Sequence, residues 1–351
     1  MTDRLKHNLY TKKPLRFGKD RKFRVLMLSD IQESLEYNPK TLLAMDKIVE
    51  AAKPDLVVLG GDNENGKKFE TKEQFKEYLD IFADPMESRK IPWAHVFGNH
   101  DYDPPVTAME KQEVFESFEY CLSKHTGAGV DGISNFVLPV YCSDSEKIAL
   151  NVWGLDSGHT MDELLTMHGG VHENARPPVR SVNASNWDVV RFTQQMWYWE
   201  SSCEIEEHNG SKPEGLLVVH IAPHEIQLIK DNPDVLGCKG EVCEGMKLGV
   251  FNSGLFSTVF QRGDIKVIAS GHTHESNMEG EYCGIKLTLD ASVGYTCYGR
   301  DDTRGGRIFE FNTDGTFETY TVLSAPYITP DIAHGPREQL PYLIEHGGLK
   351  I

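Results

Sequence analysis

VIASGHTH, residues 267–274, is an apolar, β-branched run that ends in a glycine and then offers two imidazoles, His272 and His274. A short apolar run closed by a turn signal reads as a buried strand, and side chains just past its carboxyl end lie where open α/β sheets bind ligands. Four other stretches repeat the arrangement: LMLSDIQ (26–32), VVLGGDN (57–63), AHVFGNHD (94–101) and LLVVHIAPH (216–224). They add Asp30, Gln32, Asp62, Asn63, Asn99, His100, Asp101, His220 and His224. Taken singly, a His in such a place reads as a hydrogen-bonded structural residue and an Asp as a helix cap. Taken in order they read differently, because burying aspartates and histidines side by side is costly unless they hold a cation. Carboxylate, amide oxygen and imidazole without thiolate suit Mn, Fe or Zn in a reactive site, and the set is too large for one ion. A carboxylate shared between two ions about 3.5 to 4 Å apart would use it fully.

The rest of the chain supplies an α/β frame. Strands are expected at 23–28, 56–59, 93–97, 148–155 and 216–221, and helices at 40–52 (after the cap Asn38-Pro39), 70–89, 106–124 and 188–207. The last third changes character, with strands at 265–270, 285–289, 308–311 and 317–322, few helices, and a hairpin turn at Asn312-Thr313-Asp314-Gly315. That change predicts a mixed sheet closing on a second sheet. One domain is expected over 23–323, with an N-terminal arm (1–22) and a C-terminal extension (324–351); residues 156–186 read as a long surface excursion. The stretch GAGVDG (127–132) matches a dinucleotide-loop pattern, but it follows a helix and precedes a strand, the wrong order for that use.

Charge narrows the partners. With 36 basic against 53 acidic side chains, the 351-residue chain carries a formal net charge of −17, which gives no counterion-release drive toward nucleic acid. No stretch approaches the roughly 20 apolar residues that span a bilayer, and the first residues lack the apolar segment of a secretory signal. Seven scattered cysteines suit reduced thiols. The expectation is a cytoplasmic protein with no nucleic-acid or membrane partner and its oligomeric state open; a small phosphorylated substrate stays compatible with the charge. Local cations can overrule the global sign inside one cleft.

In order and spacing, the five stretches resemble the calcineurin-like metallophosphoesterase superfamily, whose pattern runs D-x-H, G-D-x-x, G-N-H-D/E, a strand-end His and G-H-x-H. LDSG (155–158), Gln195 with Trp197, and NSGLFSTVFQRGDIKVIASGHTH (252–274) are similar to its branch related to purple acid phosphatases. The resemblance implies a four-layer α-β-β-α sandwich of two mixed sheets flanked by helices, with the metal site at the strand C-terminal ends. It implies a phosphatase or phosphodiesterase with Asp30 and His274 on one metal, Asp62 bridging, and Asn99, His220 and His272 on the other. A metal-bound hydroxide would attack phosphorus in line, His100 would assist the leaving oxygen, and Asp101 would orient the His100 imidazole.

One position departs from the pattern: Gln32 stands where the family has His. Either its amide oxygen ligates, as a poorer donor than imidazole, or the side chain bonds water or backbone and leaves the metal alone. The second possibility keeps open a metal-binding regulatory protein with weak or lost catalysis. The tyrosine ligand of purple acid phosphatases proper is also missing, its place taken by Glu64, Asn65 and Gly66. His224, His159, Tyr102, Tyr298 and Arg300 are lesser candidates for a substrate-facing position.

Overall fold

A computed structural model describes residues 13–162 and 186–328. In chain order the main elements are β1 (Leu15–Arg16), β2 (Lys22–Leu28), α1 (Pro39–Ala52), β3 (Leu56–Leu59), α2 (Lys72–Phe82), α3 (Asp84–Glu87), β4 (Trp93–His95), α4 (Ala108–Glu116), β5 (Phe136–Tyr141) and β6 (Ile148–Leu155). They continue with α5 (Phe192–Asn209), β7 (Glu214–Val219), α6 (Ile226–Asp231), α7 (Leu255–Arg262), β8 (Ile265–Ser270), β9 (Glu279–Tyr282), β10 (Ile285–Leu289), β11 (Gly305–Asn312) and β12 (Phe317–Leu323).

Two mixed sheets form, a seven-stranded one ordered β1-β5-β6-β7-β8-β10-β9 and a five-stranded one ordered β12-β11-β2-β3-β4. Strands β2, β3 and β4 run parallel, as do β6, β7, β8 and β10, so their carboxyl ends gather on one edge of each sheet. The central parallel strands are apolar on both faces because both are covered. In β2, Val25 and Met27 point to the seam between the sheets with Val58, Val152, Val218 and Ala269, whereas Leu26 and Leu28 face α1 and α2 with Leu42, Ile48 and Phe75. On the far side Trp153, Leu217 and Ile268 meet Trp197, Tyr198 and Phe256 from α5 and α7. The period-2 alternation thus feeds three apolar layers, each buried side chain contributing about 1.5 to 3 kcal/mol of transfer free energy. The result is the expected α-β-β-α arrangement.

Local signals explain most boundaries. Asn38 caps α1 by accepting the Lys40 amide, with Pro39 at the first helical position. The helix expected over 70–89 is two helices, since Pro85 cannot donate to the preceding turn and starts a new one. The helix expected over 106–124 is confined to α4; the chain beyond it pairs with β4 instead, Trp93 donating to the Tyr120 carbonyl and accepting from the Leu122 amide. Strand β5 escapes a propensity reading because Pro139 sits in its middle. Residues 15–17 of the expected N-terminal arm join the seven-stranded sheet and bury Leu15 and Phe17. The Asn312–Gly315 turn closes the β11–β12 hairpin, with Gly315 at φ 86°. Of the surface excursion, residues 163–185 lie outside the described residues; its two ends meet in a bridge between Thr160 and Trp187. The C-terminal extension beyond residue 328 also lies outside them.

Candidate metal centre

The five strand ends converge. Asp30 leaves β2, Asp62 leaves β3, Asn99 and His100 follow β4, His220 leaves β7, and His272 and His274 leave β8. The chain turns sharply at each exit: Asp30, Gln32, Asp62 and His272 all have positive φ, at 55°, 44°, 51° and 67°. Non-glycine residues hold such backbone only where the surroundings impose it. Here backbone pairing between the exits does so, with the Asp30 amide on the Gly61 carbonyl and the Gln32 amide on the Asp62 carbonyl. Gly61, at φ 97°, is required for space as well, since a Cβ there would lie 2.5 Å from His220 Nδ1.

Two groups of potential ligand atoms result, Asp62 with His220 and His272, and Asp30 with Asp62 and His274, the atoms of each lying within 4.8 Å of one another. Asp62 belongs to both. His274 Nε2 is 3.1 Å from Asp30 Oδ1, and His220 Nε2 is 3.4 Å from Asp62 Oδ1. The second imidazole nitrogens are tied back: Nδ1–H of His220 donates to the Gly60 carbonyl at 2.8 Å and that of His274 to the Tyr298 carbonyl at 3.0 Å. That fixes the tautomer in which Nε2 presents a lone pair to the cluster, the usual support for a metal-ligating histidine. Among the described residues, Asp30 Oδ1, Asn99 Oδ1, His220 Nε2 and His272 Nε2 are buried with no hydrogen-bond partner. Four orphaned atoms at the strand exits would each carry a desolvation penalty of about 1 to 3 kcal/mol, which coordination to a cation removes. Residues and geometry therefore fit a pair of oxygen- and nitrogen-loving ions.

The electrostatics agree. Burial pulls the His220 imidazole down, but the carboxylates of Asp62 and Asp30 outweigh it and push it up to about 9. Burial likewise opposes charge on His274, and Asp30 overrides it, raising the group to about 10. The same partners hold Asp62 and Asp30 below the ordinary carboxylate range against their burial. Burial and the neighbouring His220 keep His272 well below its usual value. A cation entering this cluster displaces protons, so loading is expected to release acid.

His100 stands at the rim with its side chain 38 % exposed. Its amide donates to Asp62 Oδ1 at 2.8 Å, and its Nδ1–H donates to Asp103 Oδ2 at 2.7 Å. That hydrogen bond, against burial, raises the imidazole above its usual value. The expectation that Asp101 orients this ring is corrected. Asp101 is fully buried, and its carboxylate accepts the amides of Gly98 and Asn63 and the Asn63 side-chain NH2. It ties the GNHD turn to the end of β3, and burial beside Glu64 holds it well above the carboxylate range. The misreading has a geometric cause: His100–Tyr102 is a 3-10 turn, in which residues three apart share a face, so His100 meets Asp103.

Gln32 also has a definite place. Its Nε2 donates to Asp62 Oδ2 at 2.6 Å, so the amide braces the shared carboxylate. Of the lesser candidates, His224 bonds the Gly249 carbonyl, and Arg300 is bidentate to Asp302. Tyr298 stacks on His274 with centroids 4.1 Å apart, while the Tyr102 hydroxyl donates to Asp156. The His159 ring runs parallel to that of Tyr102 with centroids 6.4 Å apart, its Nε2 3.6 Å from Asp103 Oδ1. Gln195 and Trp197 are structural, the first bonding Val190, Ser253 and Thr258 and the second buried in the core. Sequence reasoning passed over Asp103 and also Trp187, whose ring meets His272 edge-on at 5.1 Å. The three-residue spacing from His100 could have pointed to Asp103; nothing local marks Trp187.

The profile described as calcineurin-like phosphoesterase matches residues 23–276. The chain belongs to that family. A relative from Arabidopsis thaliana, named probable inactive purple acid phosphatase 29, is 28% identical over 320 residues, spanning 82% of this chain and 76% of its own. The Saccharomyces cerevisiae phosphatase DCR2 is 21% identical over 79% of this chain and 47% of its own. Among solved structures, a dimetal phosphatase from Danio rerio superposes with a TM-score of 0.51 at 14% identity, covering 86% of this chain and 99% of its own, which supports the family fold. Both the superfamily and the purple-acid-phosphatase side of the resemblance are met by these relatives.

Proposed function

We propose that this chain is a metal-dependent phosphoester hydrolase acting on a small phosphorylated substrate. The observation that carries the reading is that Asp62 is shared by two ligand groups while His100, held by Asp103, stands at their rim. Asp30, Asp62 and His274 would hold one ion, and Asp62, Asn99, His220 and His272 the other. Two such ions supply charge neutralisation for a phosphoryl group and activation of water. The protein's own residues do the rest. His274 and His220 are kept in the ligating tautomer by backbone carbonyls. His100, protonated with Asp103's support, would give its Nε2 proton to the leaving oxygen as a water oxygen bonds phosphorus, loses its proton to solvent, and the ester phosphorus–oxygen bond breaks with its electron pair passing to the leaving group. The net charge of −17 supports a small substrate over nucleic acid, and among the described residues no helix is long and apolar enough to cross a membrane. Mn, Fe and Zn are the candidate ions, and a cytoplasmic setting is proposed on the cysteine usage.

The test is metal analysis of the purified chain together with turnover of p-nitrophenyl phosphate and bis-p-nitrophenyl phosphate after loading with each ion. Both sites filled without turnover of either ester overturns the proposal. Gln32 favours a second reading, a metal-binding protein that has lost catalysis, to which the name of the Arabidopsis relative lends support. His100→Ala separates the two on an alkyl phosphate, whose leaving oxygen needs a proton: lost turnover of that ester with metal content kept supports the enzyme.

A further inference from the structure

Lys111 lies on α4 and is fully buried. Lysines ordinarily run their stems along apolar surface and keep the ammonium in water. Here Nζ donates to the carbonyl of Asp101 at 2.8 Å and to that of Asp103 at 3.1 Å, and it lies 2.9 Å from Glu64 Oε1. Those carbonyls belong to the turn that carries His100 and to the Asp103 that holds it. Glu64, also fully buried, follows Asp62 by two residues, so one ammonium joins the exit of β3 to the turn after β4. The surroundings are shaped to it. A Cβ on Gly66 would lie 2.8 Å from Nζ and 2.5 Å from the His100 carbonyl, and α4 is started about one turn before Lys111 by a reciprocal cap between Thr107 and Glu110.

We propose that Lys111 is a positioning residue for the acid step: it pins the 100–103 turn so that His100 and Asp103 stay paired at the rim of the metal cluster. Its side chain touches neither substrate nor metal, and its action is on where His100 stands. The inference rests on the phosphoester-hydrolase reading. Removing the ammonium alone leaves the Glu64 carboxylate buried without its cation, so the companion variant E64Q/K111M removes both charges together.

The experiment compares wild type, Lys111→Met and E64Q/K111M, each as the full metal-loaded chain, on p-nitrophenyl phosphate and on propyl phosphate. The nitrophenolate leaves with little proton assistance and the alkoxide does not, so the loss in kcat on the alkyl ester should exceed that on the aryl ester by about tenfold or more. Metal content should be unchanged, and amide exchange across 98–104 should speed up. On a His100→Ala background, Lys111→Met should lower turnover of the aryl ester no further. Equal losses on the two esters, an additive loss on His100→Ala, or failure of both variants to fold or load metal overturns the positioning role. A wild type that turns over neither ester fails the hydrolase reading instead, and unchanged exchange over 98–104 then overturns the pinning by itself.

Discussion

His100 and Asp103 form the hydrogen-bonded pair at the mouth of the cluster, Nδ1 to Oδ2 at 2.7 Å, three residues apart on one face of a 3-10 turn. The carboxylate next to His100 in sequence, Asp101, is turned inward, and the two acids are expected to fail in different ways.

Asp103→Asn should lower kcat by about 10- to 100-fold, since it weakens the support of a protonated imidazole, while metal content and unfolding midpoint stay near wild type. Steady-state kinetics with metal analysis on one preparation checks this; a fall in occupancy equal to the fall in rate would count against it.

Asp101→Ala should act on the fold. It leaves three buried donors, the Gly98 and Asn63 amides and the Asn63 side-chain NH2, without their acceptor. A stability loss of about 3 kcal/mol or more is expected by urea titration, because each stranded donor carries about 1 to 3 kcal/mol.

Gln32→His places an imidazole beside the shared carboxylate and should tighten one of the two ions by about tenfold, imidazole being the better donor to a late first-row metal. Competition against a chelator measures it, and an unchanged constant for both ions would show that position 32 does not ligate.

His95 gives a pH signature apart from the site. It is fully buried, stacked on Phe115 at 3.6 Å, and burial pulls it down to about 3 although Gln112 bonds its ring. Unfolded, it titrates near 6.5, so between those values the unfolded chain binds the extra proton. Stability from this residue is therefore full above about pH 6.5 and falls as pH drops toward 3, by at most about 1.4 kcal/mol per pH unit. His95→Phe should flatten the stability-versus-pH curve over that window; a slope identical to wild type would refute the assignment.

Much of the fold was readable because each of the five stretches couples an apolar run to a polar exit, so one signal marks both a strand and a ligand. What stayed hidden depends on contacts that periodicity does not encode. Pro139 disguises β5, and the aromatic residues after Ser117 look helical until their backbone is seen pairing with Trp93. Lys111, in the polar-looking stretch AMEKQEVFE, reads as a solvated face, and only the closed pocket around Glu64 shows otherwise. Asp101 was the natural partner for His100 by adjacency; the turn geometry that favours Asp103 lies in the backbone.

The candidate ligands divide evenly between the layers: Asp30, Asp62 and Asn99 follow strands of the five-stranded sheet, and His220, His272 and His274 follow strands of the seven-stranded one. An ion held among them is a rivet through the joint between two halves of the sandwich. Occupancy and cohesion then become a single quantity, and chelation should lower the melting temperature in step with the metal removed, as expected for a ligand bound only by the folded chain.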